Sequence, residues 1–374
     1  MKRIGIEVQR LFRKKKHGME VVALELIKEL QQMDHKNEYV LFVKDDEDNT
    51  CISETPNWKI KTLSGKTYFD WEQFSLPKAI KNERIDFLHS TCNTSALRSI
   101  NPLLLTLHDI IYLEKIDFKG TAYQNFGNLY RRFVVPRVAQ KSKFIITVSH
   151  FEKEVICEKL KLPEEKVKVV YNAVNKKFNN QYERSLVEGI RKKYNLPHSF
   201  ILFLGNTAPK KNTGNVIDAY AKYCGSISDP LPLVILDYDR QLIIERLKAN
   251  KQEELFKNFI LPGFISSDEM PLLYNAATLF LYPSLRESFG LPILEAMGCG
   301  TPVITSSTSS MPEVAADAAL FVDPYNVNDI TKKIEDLISN PELQSELIKK
   351  GLQRSADFTW NKAARELMDI YEMM

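Results

Sequence analysis

Glu287 and Glu295, eight residues apart, bracket the segment Ser-Phe-Gly-Leu-Pro-Ile-Leu and are the carboxylate pair best placed for chemistry in this 374-residue chain. Proline is tolerated in the first turn of a helix, so Gly290-Leu291-Pro292 reads as a helix start. Glu287 then sits in the preceding loop and Glu295 just over one turn into the helix. Exposed N–H groups at Gly290 and Leu291 would point out of that start, a ready site for phosphate or sugar oxygens. Carboxylates beside such a site suit hydroxyl groups, which implies a ligand with both hydroxyls and phosphate. The same glutamates also fit a plain helix N-terminus, where negative charge is favoured, and spacing alone divides the two readings evenly. Lys211 falls at another expected helix start, where a positive charge is mildly unfavourable; an anionic ligand would account for the misfit. His108 follows the apolar run Leu103–Leu107, the place where an open α/β sheet gathers ligand contacts. Asp109 either orients His108 or caps the next segment. Asp237-Tyr-Asp239 also follows an expected strand. Two carboxylates at that spacing can reach one divalent cation, and Asp239 equally suits a helix N-cap.

The elements that must position these residues alternate in type. Arg3–Val8, Val40–Val43, Ile85–His89, Leu103–Leu107 and Phe144–Val148 read as strands, with helices over Met19–Gln32, Trp71–Lys81, Ala122–Gln140 and Phe151–Leu160. Such alternation needs crossover connections, hence a parallel sheet covered on both faces. The pattern then restarts with strands at Phe200–Leu204, Leu233–Leu236, Phe259–Leu261, Leu279–Tyr282, Val303–Thr305 and Leu320–Val322. Polar, weakly periodic Asn175–Glu183 reads as the linker. Three closing helices, Asp329–Ile338, Pro341–Gln353 and Asn361–Met373, have no strand to follow. The expected architecture is α/β, two doubly wound domains in tandem.

Composition narrows the class. With 44% hydrophobic and 26% charged residues the chain is an ordinary globular mix, too apolar for a disordered segment. No apolar run approaches the roughly 18–20 residues of a membrane helix, and the N-terminus lacks the apolar core of a secretory signal, so a soluble cytoplasmic protein is expected. Five cysteines without any CxxC spacing argue against a disulfide framework or zinc knuckle. Net charge is +3, unevenly spread: residues 1–184 carry 32 basic against 24 acidic side chains (+8), and residues 185–374 carry 19 against 24 (−5). Nucleic-acid binding is not expected, because no recognition helix, RNP-like pattern or finger accompanies the basic half. An anionic membrane surface and a merely solvated face are the two readings that remain for it.

At these residues the chain resembles the family-4 glycosyltransferases, of GT-B fold. The resemblance covers nearly the whole chain. It rests on the E-x7-E pair with Ala296-Met-Gly-Cys-Gly-Thr-Pro-Val after it, on Leu107-His108-Asp109, Thr147-Val-Ser-His-Phe and Tyr171-Asn172-Ala-Val, on Phe203-Leu-Gly205 through Lys211-Asn212, and on Leu261-Pro-Gly263-Phe-Ile. It implies two Rossmann-like domains facing across a cleft: 1–178 on the acceptor side, 179–358 on the donor side, and a helix at 359–374 packing back on the first.

The resemblance also implies roles. Lys211 would bind the donor diphosphate, Glu287 would lie near the transferred sugar and Glu295 would hold the ribose hydroxyls. Phe289, Gly290 and Leu291 would line the donor, with backbone donors at the last two, and Gly263 and Phe264 would face the nucleobase. His108 would contact the sugar. Gly18 matches the remnant of a glycine-rich loop after the first strand. Asn206 stands where the family commonly has an arginine, with Lys210 as a substitute, and Asp237 falls outside the family's donor contacts. Transfer would be retaining, with the departing phosphate oxygen taking the acceptor's proton, no cofactor and no divalent metal. The implied partners are a nucleotide-sugar and a saccharide or lipid-linked saccharide, with peripheral contact at the inner face of the plasma membrane. The motifs look closest to a mannosyltransferase-like branch of bacterial surface polysaccharide assembly, which puts GDP-mannose first and UDP-hexoses behind it. A non-catalytic relative and a sugar-phosphate synthase are the alternatives.

Overall fold

Short runs of Leu, Ile, Val and Phe form strands buried on both faces, as parallel sheets require. The computed structural model describes residues 1–98, 102–114 and 122–374. Seven strands form one sheet: β1 (Arg3–Glu7), β2 (Glu38–Val43), β3 (Trp58–Thr62), β4 (Phe87–Ser90), β5 (Leu103–Thr106), β6 (Phe144–Thr147) and β7 (Val167–Val169), in the order β3-β2-β1-β4-β5-β6-β7. Six more form a second: β8 (Ile201–Leu204), β9 (Leu233–Leu236), β10 (Phe259–Ile260), β11 (Leu279–Tyr282), β12 (Val303–Ser306) and β13 (Leu320–Val322), in the order β10-β9-β8-β11-β12-β13. Every ladder in both sheets is parallel.

Along β2 successive side chains alternate between two cores. Tyr39, Leu41 and Val43 join one cluster with Ile4 and Ile6, while Val40 and Phe42 join the other with Leu88 and Leu105. This period-two alternation places a helical layer on each face of the sheet.

The chain divides into two compact units, Met1–Ala173 with Trp360–Met374, and Val174–Thr359. Residues 174–178, expected from the sequence in the first domain, therefore belong to the second. The helix Trp360–Met373 is part of the first unit, burying Trp360, Ala364, Leu367, Ile370 and Tyr371. It is pinned there by Lys2 Nζ, which donates to the Tyr371 carbonyl at 2.7 Å, and by the 2.7 Å contact between Tyr371 Oη and His89 Nδ1.

Two strands escape the sequence reading, β3 and β7. Both are edge strands, and Trp-Lys-Ile-Lys-Thr and Val-Lys-Val are too short and too lysine-rich to stand out. The helix expected over Trp71–Lys81 is present within a helical stretch from Tyr68 to Glu83, but it is not regular throughout. A wide turn over Trp71–Ser75, with Leu76 N–H donating to the Trp71 carbonyl, precedes the helix Leu76–Glu83. Pro77 lacks the N–H that an unbroken ladder would need there.

Candidate active site

Because β8 and β11 pair directly, with Leu202 opposite Phe280, the loops at their carboxyl ends lie side by side. Gly205 opens the first loop. A Cβ there would come within 2.6 Å of Ile235 Cγ2 and 2.8 Å of the Leu236 carbonyl, so only glycine lets the turn pass this close to the end of β9. The loop then runs through a single turn, Pro209–Lys211, into the helix Thr213–Ser226. The second loop spans residues 283–290 and enters the helix Leu291–Gly298. Polar groups fasten the two loops to each other and to the segments after β12 and β13. Asn212 Nδ2 donates to the Pro283 and Pro324 carbonyls, Leu285 N–H donates to the Lys210 carbonyl, and Ser310 Oγ donates to the carbonyls of Glu287 and Phe289.

This framework brings together two residues singled out from sequence. Lys211 Nζ donates to Glu287 Oε1 at 2.7 Å and to Tyr282 Oη at 2.8 Å, and it lies 4.8 Å from the Tyr282 ring centroid. Lys210 Nζ approaches Glu287 Oε2 at 3.7 Å. The Glu287 carboxylate is only 11% exposed. Burial alone would raise its pKa, but the charges of Lys211 and Lys210 and the bonds from Lys211 and Tyr282 outweigh it, and the net shift is downward. Glu287 is thus an ionised group holding a lysine in one position.

Glu295 stands in the opposite state. Burial pushes its pKa from 4.5 to about 7, and the Tyr274 hydroxyl bond at 3.3 Å and the Lys177 charge offset little of that. Near neutral pH it both accepts and donates hydrogen bonds, which suits a pair of sugar hydroxyls. Gly290 precedes the helix at φ +100°, a left-handed conformation that glycine takes freely. The N–H groups of Gly290 and Leu291 meet no acceptor among the described residues. They are less open than expected: Gly290 is buried and Leu291 half-buried. The Phe289 ring is buried in edge contact with Phe358, which leaves its main chain as the part within a ligand's reach.

The remaining donor-side residues divide. Asn206 is exposed, and its Oδ1 accepts from Ala208 N–H at 2.7 Å, a local turn; Lys210, not Asn206, adds the second positive charge near Lys211. Gly263 and the exposed Phe264 line an open pocket of about 770 Å³ together with Asp237, Asp239 and Arg240. The family resemblance sets Asp237 apart from Gly263 and Phe264; the structure puts all three on one pocket wall. Asp239 caps the helix Arg240–Ala249 by accepting from Gln241 N–H at 2.6 Å.

In the first unit, His108 lies two residues past β5 with its ring buried. Its Nε2 is 3.0 Å from the Thr91 carbonyl, which only accepts, so the neutral ring carries its proton on Nε2. Burial lowers its pKa, against the opposing pull of that bond and of the Asp109 and Glu20 charges. The His108 N–H is taken by Asn93 Oδ1 at 2.7 Å. Asp109 caps the next segment, accepting from Ile111 N–H at 3.2 Å. Gly18 does not form a loop. It is the first residue of the helix Gly18–Met33, and a Cβ at this position would meet nothing within 4 Å.

Sequence reasoning missed Tyr282, which read there only as the end of a strand, and Tyr274, which it did not single out. It also missed a buried cluster in the first unit, where Glu72 accepts from Tyr68, Thr94 and Tyr130. The aromatic density of Tyr-Phe-Asp-Trp-Glu-Gln-Phe (68–74) was the available signal.

Two doubly wound parallel sheets, one bearing a lysine-and-helix-start edge, define the GT-B class of glycosyltransferases. A family model for Glycosyltransferase Family 4 matches residues 17–178, and one for Glycosyl transferases group 1 matches residues 188–354. The chain belongs to these glycosyltransferases. It is 30% identical over 245 residues to the serotype-specific mannosyltransferase WbdA of Escherichia coli, covering 64% of this chain and 30% of that protein. The chain thus spans about 30% of the length of the curated mannosyltransferase it matches there. An uncharacterised glycosyltransferase of Methanocaldococcus jannaschii is 28% identical, with 93% of this chain and 92% of that protein aligned. Among solved structures, Anabaena HepE in complex with UDP and glucose superposes with a TM-score of 0.76 over 100% of both chains at 17% identity.

Proposed function

We propose that the chain is a retaining glycosyltransferase, moving a hexosyl group from a nucleotide-sugar to a hydroxyl of a saccharide or lipid-linked saccharide in surface polysaccharide or lipopolysaccharide assembly. Mannose from GDP-mannose is the favoured donor, on the likeness to mannosyltransferases. The observation that carries the proposal is Lys211 held by ionised Glu287 beside the start of the Leu291–Gly298 helix.

In this reading the anomeric carbon–phosphate oxygen bond breaks and the acceptor oxygen bonds the same carbon from the same face. The acceptor's proton passes to the departing phosphate oxygen, so no protein base is required. Lys211 and the Leu291 N–H stabilise the diphosphate as its charge grows, which is where a fixed donor contributes most to rate. Glu287 keeps the ammonium in place and borders the transferred sugar. Glu295 takes the ribose hydroxyls, and neutral His108 meets the sugar. The scheme calls on no divalent metal.

On the acceptor side, the first unit offers a pocket of about 550 Å³ lined by Arg10, Arg13, Tyr68, Phe69, Phe126 and Arg131. Its helix Ala122–Lys141 exposes Phe126, Leu129 and Phe133 and carries Arg132 and Arg137. Aromatic groups beside arginines suit the headgroup layer of an anionic membrane, which supports a lipid-linked acceptor.

A UDP-hexose donor is the second reading, favoured by the fold shared with HepE. A thermal-shift panel with GDP, UDP, ADP and CDP, in Mg²⁺ and in EDTA, separates the two. A ligand at ~100 times its Kd adds about 2.7 kcal/mol of stability. A selective shift that survives EDTA supports the proposal and names the donor class. No shift with any nucleotide overturns it in favour of a non-catalytic relative.

A further inference from the structure

The second sheet reverses its strand order beside β8, with β9 and β10 on one side and β11 to β13 on the other. Open parallel sheets bind ligands outside their carboxyl ends at such a reversal, and Lys211 and Glu287 sit on the two loops that flank it. A nucleoside diphosphate held there by its phosphates has its base displaced along the edge. The pocket between the loops after β9 and β10, about 770 Å³, is room of the right kind. Its lining mixes polar and apolar groups: Ile235 and Phe259 are buried behind it, Asp237, Asp239 and Arg240 are exposed on it, and Phe264 is 71% exposed. An exposed aromatic ring beside polar side chains suits a flat heterocycle with hydrogen-bonding edges.

Polar groups at the same pocket decide which heterocycle. Asp239 is occupied as a helix cap. Asp237, directly after β9, has no hydrogen-bond or ion-pair partner among the described residues, and its backbone lies at φ +53°. That conformation is costly for a residue with a side chain and free for glycine. Arg240, three residues further on, lies 4.9 Å above the Phe256 ring.

A carboxylate only accepts hydrogen bonds. Among the common nucleobases, guanine alone presents two adjacent N–H donors, N1–H and the exocyclic amine, to two such oxygens. Uracil offers one N–H between two carbonyl oxygens, which a carboxylate repels. Adenine and cytosine offer an amine beside a ring nitrogen that is itself an acceptor. We infer that Asp237 reads a guanine base through N1–H and the exocyclic amine, with the Arg240 guanidinium available to O6 or N7. This deepens the donor-site reading above and rests on it: it makes the donor a GDP-sugar.

The test is calorimetric titration of the full chain with GDP, IDP and UDP. IDP lacks the exocyclic amine and is otherwise the same ligand. Asp237→Gly removes the carboxylate and relieves the left-handed backbone, so the variant keeps its fold; Asp237→Asn retains one acceptor. The wild type should bind GDP about 10-fold or more tightly than IDP or UDP, on the scale of a good bidentate base contact. In Asp237→Gly the GDP affinity should fall about 10- to 100-fold with UDP unchanged, and the GDP-to-IDP ratio should move towards one. Asp237→Asn should fall between. Tighter binding of UDP than GDP by the wild type, or an unchanged GDP-to-IDP ratio in Asp237→Gly, overturns the base assignment and leaves the donor site standing. Failure of all three nucleotides to bind overturns the donor-site reading and this inference with it.

Discussion

Replacing Glu295 by glutamine should stabilise the second unit at pH 8 and leave it unchanged below pH 4.5. The folded-state pKa of about 7 lies above the ordinary 4.5 because burial penalises the charged form. Below pH 4.5 the folded and unfolded chains both hold the proton, and the residue's identity matters little. Between 4.5 and 7 the unfolded chain ionises while the folded carboxyl does not, and stability falls by about 1.4 kcal/mol per pH unit. Above pH 7 the loss levels off at roughly 3 kcal/mol. Glutamine avoids this loss and still accepts from the Tyr274 hydroxyl. For a unit of this size each kcal/mol moves Tm by about 2–4 °C, so the variant should melt ~6–12 °C higher at pH 8. Thermal melts of both proteins at pH 4.5, 6, 7 and 8 read this directly. A Tm difference that does not grow with pH, or a less stable variant at pH 8, refutes the burial account. The stabilised variant should also bind nucleotide more weakly, since the carboxylate that costs stability is the group assigned to the ribose.

Glu287→Gln should run the other way. A carboxyl with a depressed pKa contributes stability above its ordinary range and loses it as pH falls through the folded value, so the variant should melt below wild type at pH 7 and converge with it in acid. Lys211→Ala should cut kcat by about 100- to 1,000-fold, the scale of losing one fixed donor at a developing charge. Steady-state kinetics in which the donor KM rises more than kcat falls would move its effect to ground-state binding. Gly290→Ala places a Cβ 3.2 Å from Ile293 Cδ1 at φ +100° and should cost about 1–2 kcal/mol, measured by urea denaturation. Gly18→Ala should leave turnover intact and raise stability by up to ~1 kcal/mol; a loss of donor affinity instead would restore Gly18 to a phosphate-binding role.

Much of this protein was legible along the chain. Fully buried parallel strands are continuous apolar runs, so Leu233–Leu236 and Leu279–Tyr282 stand out, and each is observed with those bounds. The edge strands Trp58–Thr62 and Val167–Val169 do not, because one side of an edge strand meets solvent and tolerates lysine. Asp239 as a helix cap follows from local chemistry. The Glu287–Glu295 spacing and the helix start between them were equally local, and so they were readable in order.

What the linear order did not contain is who meets whom. Lys211 and Glu287 are separated by 76 residues, and they pair because β8 and β11 are neighbours in the sheet. Tyr282 joins them only because β11 ends at that level. Asp237 and Phe264 share a pocket because β9 and β10 pair in parallel and release their loops on the same edge. The opposite protonation states of Glu287 and Glu295 likewise come from tertiary surroundings: burial raises both, but Glu287 has Lys211 bonded to it and Lys210 close by, whereas Glu295 feels only the weaker pull of Lys177 and a tyrosine hydroxyl. Composition and periodicity determined which segments would be strands, helices and turns, since those depend on neighbours a few residues away. Charge state and constellation depend on strand order, which is settled by burial across the whole sheet.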